Sequence, residues 1–141
     1  MGTKFSTRIW VSVVGIASIF FGSKGYADTV ISVADFGLKP DTRENAVAYV
    51  QKAIEACRGK EPVTLVFPEG RYDFWPQYAH EKNYYETNTY DVFPKRLAML
   101  FEGLHNITVD GNGSQFVMHD RIQPITVENC DGVTLKNFSI D

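Results

Sequence analysis

Met99-Leu100-Phe101-Glu102-Gly103-Leu104-His105-Asn106-Ile107-Thr108-Val109-Asp110-Gly111 returns in altered form as Ile125-Thr126-Val127-Glu128-Asn129-Cys130-Asp131-Gly132-Val133-Thr134-Leu135-Lys136-Asn137. The offset is 26 residues, and apolar residues coincide at 99/125, 101/127, 104/130, 107/133 and 109/135. Glu102/Glu128 and Thr108/Thr134 are identical pairs. A period of this size, built from short alternating β-branched runs punctuated by Gly, Asn and Asp, is the signature of one coil of a solenoid. A coil leaves an apolar face that only the next coil or a cap can cover. The expected class is therefore all-β and solenoidal. With about one and a half coils before Asp141, it is expected to be incomplete, a piece of a longer molecule.

Upstream the pattern changes. Thr29 to Val33 alternates as a short strand, and Phe36-Gly37-Leu38-Lys39-Pro40 breaks it. Asp41-Thr42-Arg43-Glu44 has the form of a capping box, with Asp41 as N-cap. Ala46, Val47, Val50, Ala53, Ile54 and Cys57 then recur at helical spacing, which predicts an amphipathic helix ending near Arg58-Gly59. Val63–Phe67 and Arg71–Phe74 read as strands around the Pro68-Glu69-Gly70 turn, and residues 76–94 as an insertion or long loop. A helix ahead of the first full coil is a natural lid for the open end of a stacked parallel sheet.

Residues 1–27 read as a cleaved signal peptide. Lys4 and Arg8 open it, Ile9 to Phe21 is apolar, and Gly25-Tyr26-Ala27 offers small residues where a signal peptidase reads. Thirteen residues broken by Ser12, Gly15 and Ser18 fall short of the roughly 20 a membrane span needs. The expected location is secreted or periplasmic, with residues 28–141 as the mature segment and no membrane contact after cleavage. Without Lys4, Arg8 and Lys24 the net charge moves from −3 to −6, which argues against nucleic acid, whose affinity rests on Lys and Arg against phosphate. Hydrophobic content of 44% and charged content of 22% suit a folded chain. Cys57 and Cys130 both occupy apolar positions, so two buried free thiols are favoured over a disulfide, although export would permit one.

Val33-Ala34-Asp35-Phe36-Gly37, a helix, then Val66-Phe67-Pro68-Glu69-Gly70-Arg71-Tyr72 resembles the N-terminal cap of right-handed parallel β-helix proteins of the pectate-lyase superfamily. A narrower resemblance rests on Arg71-Tyr72-Asp73-Phe74-Trp75-Pro76, Tyr84-Tyr85-Glu86-Thr87-Asn88-Thr89, Pro94-Lys95-Arg96-Leu97-Ala98, Val109-Asp110-Gly111-Asn112-Gly113-Ser114 and His119-Asp120-Arg121-Ile122-Gln123-Pro124. Together they are similar to the N-terminal part of glycoside hydrolase family 110, bacterial exo-acting α-1,3-galactosidases. The resemblance implies hydrolysis of terminal α-linked galactose with inversion, no cofactor, and glycans as partners. It also implies that the reacting carboxylates lie beyond Asp141, so no catalytic residue is assigned here and this stretch alone is expected to be inactive.

Substrate contact is sought at His119, Asp120 and Arg121, where a carboxylate beside a guanidinium can bind sugar hydroxyls. The alternative is a turn whose charges are paired or solvated. Trp75 and Tyr85, with Tyr78, Tyr84 and Tyr90, can stack on a sugar or else seal the flank of the first coils. Asp110-Gly111-Asn112-Gly113 has too few spaced oxygens for calcium and reads as a turn with its glycines at φ > 0. His80, His105 and His119 lack metal-ligand spacing. Two rivals remain open: another β-helix enzyme (a polygalacturonase or lyase), and a non-enzymatic glycan-binding or adhesin module. Carboxylate placement on further coils separates them.

Overall fold

The computed structural model describes residues 28–83 and 94–141. The signal peptide expected at residues 1–27, and Tyr84, Tyr85 and Tyr90, lie outside the described residues. The chain runs through β1 (Thr29–Ser32), a 3₁₀ turn (Val33–Phe36), α1 (Val47–Cys57), β2 (Val63–Val66), β3 (Arg71–Phe74), β4 (His80–Lys82), β5 (Lys95–Glu102), β6 (His105–Met118), β7 (Gln123–Glu128) and β8 (Asp131–Ile140). It is mostly strand with one α-helix, as an all-β reading requires. Among the described residues no helix is long and apolar enough to cross a membrane.

The pairing is parallel almost throughout. β1 pairs with β2, β2 with β6, and β6 with both β3 and β8. A second sheet has the order β4-β5-β7, in which only β4 runs antiparallel. Met99 lies opposite Ile125, Phe101 opposite Val127, Ile107 opposite Val133 and Val109 opposite Leu135. The 26-residue repeat is thus the hydrogen-bonding register itself. The fifth aligned pair, Leu104 and Cys130, sits at a corner, where the Leu104 N–H donates to Cys130 Sγ at 3.3 Å.

The corners repeat as well. Gly103 (φ 63) corresponds to Asn129 (φ 51), and Asn106 (φ 48) to Gly132 (φ 62), so each coil bends through left-handed residues at the same two places. Gly and Asn are the residues that reach this region at least cost. The Asp110–Gly113 turn lies inside β6, where the register with β8 shifts. Its positive φ values belong to Asn112 (49) and Gly113 (85), not to Gly111. Gly111 is required for space, because a Cβ there would stand 2.5 Å from Phe138 Cβ.

Inside, Val33, Leu38, Val63, Leu65, Phe67, Tyr72, Phe74, Met99, Phe101, Leu104, Ile107, Val109 and Phe116 form one buried cluster. Phe116 anchors an aromatic column, with ring centroids 4.8 Å from Phe67, 5.6 Å from Phe74 and 4.8 Å from Phe138. Helix α1 joins this cluster through Val47, Val50, Ala53, Ile54 and Cys57, all buried. At about 1.5–3 kcal/mol per fully buried aliphatic side chain, that face is worth several kcal/mol.

The helix start departs from the sequence expectation. Asp41 does not cap α1: it has φ 62, and its Oδ1 accepts from the Arg71 N–H at 3.0 Å. The N-cap is Ala46, without a side-chain bond, and Asn45 Oδ1 accepts from the Val47 N–H instead. The capping box belongs to the 3₁₀ turn, where Ser32 and Asp35 bond each other's backbone. Both cysteines are free, Cys57 buried and Cys130 only half-buried. Burial pushes the Cys57 thiol up to about 11, and its Sγ lies 3.3 Å from the Ala53 carbonyl, so it behaves as an inert core group.

Candidate functional site

Two of the residues sought from sequence meet at the end of β3 and β6. The Trp75 indole stacks on the His119 imidazole, with centroids 3.7 Å apart and planes 6° from parallel. The backbone fixes both: the His119 N–H donates to the Phe74 carbonyl at 2.9 Å, and the Trp75 N–H donates to Asn45 Oδ1 at 3.1 Å. Asn45 Nδ2 donates in turn to the carbonyls of Trp75 and Gln77. One asparagine therefore ties the start of α1 to the segment after β3.

Behind the stacked pair stands Asp73, 2% exposed although it carries a carboxylate. Its Oδ1 accepts from Arg71 Nη2 at 2.6 Å and its Oδ2 from Arg71 Nε at 3.0 Å, a fork that a guanidinium matches well. His119 Nε2 lies 2.7 Å from the same Oδ1. The Arg71 hydrogen bonds, with those of His119, outweigh burial and hold Asp73 at about 2. Asp73 is thus an ionised acceptor at any ordinary pH. Its role is to lock the His119 ring in position against Trp75.

Sequence reasoning did not single out Asp73. An acid in a short alternating strand reads as solvent-facing, yet Tyr72, Asp73 and Phe74 are all buried. The available signal was Arg71 two residues away, which in a strand projects to the same side. Asp120 and Arg121, sought beside His119, are both exposed and form no ion pair with each other or any described residue. Asp120 has φ 58 and its carbonyl accepts from the Ile122 N–H, so this pair forms the tip of the turn into β7. Tyr85 lies outside the described residues.

Other carboxylates are committed elsewhere. Glu102 and Glu128, in register on β5 and β7, both bond Lys82 Nζ from β4, with Glu102 at 2.9 Å. Lys82 holds Glu102 below its ordinary range. Asp110 is held low by Asn137, then by the Asn112 N–H and Lys136. A proton-donating acid needs the opposite displacement. Geometrically, this region offers a flat aromatic plate backed by a fixed charge, an arrangement suited to binding.

No protein-family model matches the chain. It is 63% identical over 115 residues to the α-1,3-galactosidase B of Bacteroides thetaiotaomicron, a match taking in 82% of this chain and 19% of that protein. With the α-1,3-galactosidase A of Shewanella woodyi it shares 40% identity over 111 residues, 79% of this chain and 18% of that one. With an α-1,3-galactosidase B of Phocaeicola vulgatus the figures are 37% over 137 residues, 94% and 21%. The chain spans about a fifth of the length of the curated relatives it matches.

Proposed function

This chain belongs to the α-1,3-galactosidase family, and from that premise we propose that it forms part of an exported enzyme removing terminal α-1,3-linked galactose from glycans. The 63% identity over 115 residues carries the reading. The part it builds is the helix-capped first turns of a right-handed parallel β-helix. A parallel register of 26 residues over residues 97–110, stepping to 24 past the Asp110/Ser114 bulge, and an apolar helix face over the interior support that architecture. The handedness follows from the strong preference of parallel crossovers.

Inverting hydrolysis needs one carboxylic acid to protonate the leaving oxygen and one carboxylate to activate water, roughly 6.5–9.5 Å apart. We assign both to segments of the relatives that this chain does not match. Asp73, Glu102 and Asp110, held as carboxylates by pKa values shifted below their ordinary range, fit binding or structural duty here. Trp75 and His119, with Asp120, Arg121 and Tyr85, are assigned to substrate binding. Export through residues 1–27 belongs to the same reading: the exported form should begin at Asp28, and soluble protein retaining Met1 would refute it.

A segment exchange tests the enzymatic assignment. The matched 115-residue stretch of the Bacteroides thetaiotaomicron enzyme is replaced by the corresponding stretch of this chain, and galactose release from an α-1,3-galactoside is measured. The chimera is expected to turn over, and the 141-residue chain alone is not. A folded chimera without galactose release overturns the assignment.

A further inference from the structure

Beside the Asn45 latch lies an open groove of about 380 Å³, lined by Glu44, Asn45, Ala48, Tyr49, Lys52 and Tyr78. That volume falls within the range of small-molecule sites. Ala48, Tyr49 and Lys52 come from the start of α1, Glu44 and Asn45 from the segment just before it, and Tyr78 from the segment after β3. Tyr78 is 74% exposed, a large aromatic ring left in water. Its backbone sits at φ 69, a region that bulky side chains rarely enter and that concentrates at functional positions. Two side-chain amides, one on α1 and one just before it, hold it there: Gln51 Nε2 donates to the Tyr78 carbonyl at 2.9 Å, and Asn45 Nδ2 to the Gln77 carbonyl at 2.8 Å.

The charges around the ring identify the ligand. Glu44 and Lys52 are exposed, and neither side chain has a partner among the described residues. A carboxylate that only accepts and an ammonium that only donates, set along one groove, suit a neutral molecule carrying several hydroxyls. With one charge of each sign along the groove, neither a net anion nor a net cation is favoured over a neutral ligand. The electron-rich face of Tyr78 matches the polarised C–H face of a pyranose. We infer that this groove is an accessory binding site for one pyranose unit of a glycan, with Tyr78 as the stacking surface and Glu44 and Lys52 as hydroxyl partners. It rests on the proposed function only for the choice of galactose as the sugar.

The full 141-residue chain is titrated with methyl α-galactopyranoside and followed by saturation-transfer NMR, alongside thermal melting. Wild-type chain is expected to bind. Tyr78→Gly removes the ring and relieves the left-handed backbone, so affinity should fall about tenfold while Tm holds or rises. A merely structural tyrosine would show the reverse, a lower Tm with unchanged affinity. Lys52→Gln, on an exposed side chain, should weaken binding about threefold. No saturation transfer in the wild-type chain, or unchanged affinity in Tyr78→Gly, overturns the site. If Tyr78→Gly does not fold, unchanged affinity in Lys52→Gln does so alone. An inactive chimera with this binding intact would refute the enzymatic reading and leave the groove standing.

Discussion

Residues 99–109 and 125–135 carry one apolar pattern in one register, yet differ in burial. Met99, Phe101 and Ile107 are fully buried, and Val109 nearly so. Their partners Ile125 and Val133 are half-buried, while Val127 is 44% and Leu135 39% exposed. The difference is what lies on the far side. The earlier coil has α1, β1 and β2 behind it and the later coil in front, whereas β7 and β8 have a described neighbour on one side only. In a stacked architecture the pattern states which side chains point inward, and neighbours decide how much that is worth.

The comparison is broken most severely from the helix side. Val50→Asp would set an unpaired charge against the buried cluster, and we expect a loss of several kcal/mol, enough to abolish a cooperative transition in urea. An unchanged midpoint would show that α1 does not cover the core. Next, Phe101→Ala should cost about 3–5 kcal/mol by opening a cavity, while Val127→Ala at the paired position should cost under about 1 kcal/mol. Equal costs would mean that neighbours do not set the energetics.

A pH titration addresses the fixed charge between coils. Asp73 has its folded value at about 2, below its ordinary 3.8, so the carboxylate's bonds stabilise the fold fully above the unfolded value. That contribution, on the order of 2 kcal/mol, is lost as pH falls from about 4 through about 2. In Asp73→Asn the acid limb of the stability profile should flatten across this window. An identical limb in the variant would remove Asp73 from the account.

The smallest effect is at the corners. Gly103→Ala puts a Cβ in ordinary contact with Arg58 Nη1 at 3.9 Å but at φ 63, and should cost about 1 kcal/mol. Gly103→Asn should cost less, because Asn129 already holds the equivalent position in the next coil. If both substitutions cost the same, the Gly/Asn exchange is incidental.

Much of this was legible beforehand because packing periods write themselves into composition. Register could be read from Glu102/Glu128, Thr108/Thr134 and the apolar pairs, and the helix from its six buried positions. What escaped depends on contacts distant in sequence. Asp41 has a capping residue's chemistry, but the Arg71 N–H, 30 residues away, takes its carboxylate, and positive φ at Asp41 and Arg43 uses that stretch as a turn. Likewise, Asp73 has a local sign of pairing in Arg71, but its other partner, His119, lies 46 residues on. Of the site residues sought, His119 and Trp75 come together, while Asp120 and Arg121 point to solvent as an unpaired turn.

The exchange of Gly and Asn at the paired corners also says something about how such a molecule changes length. Since residues 97–110 lie beside the residues 26 further on, and either corner residue serves in either coil, a second copy of residues 99–124 spliced in after Pro124 would meet the original's own strands below it and residues 125–140 above it. The backbone bonds of residues 99–110 would be made again in the same register, and the rest of the chain would be carried forward one spacing along the stack, about 4.8 Å. Growth and loss here are counted in whole turns, much as a spring is lengthened by a coil without reshaping its wire.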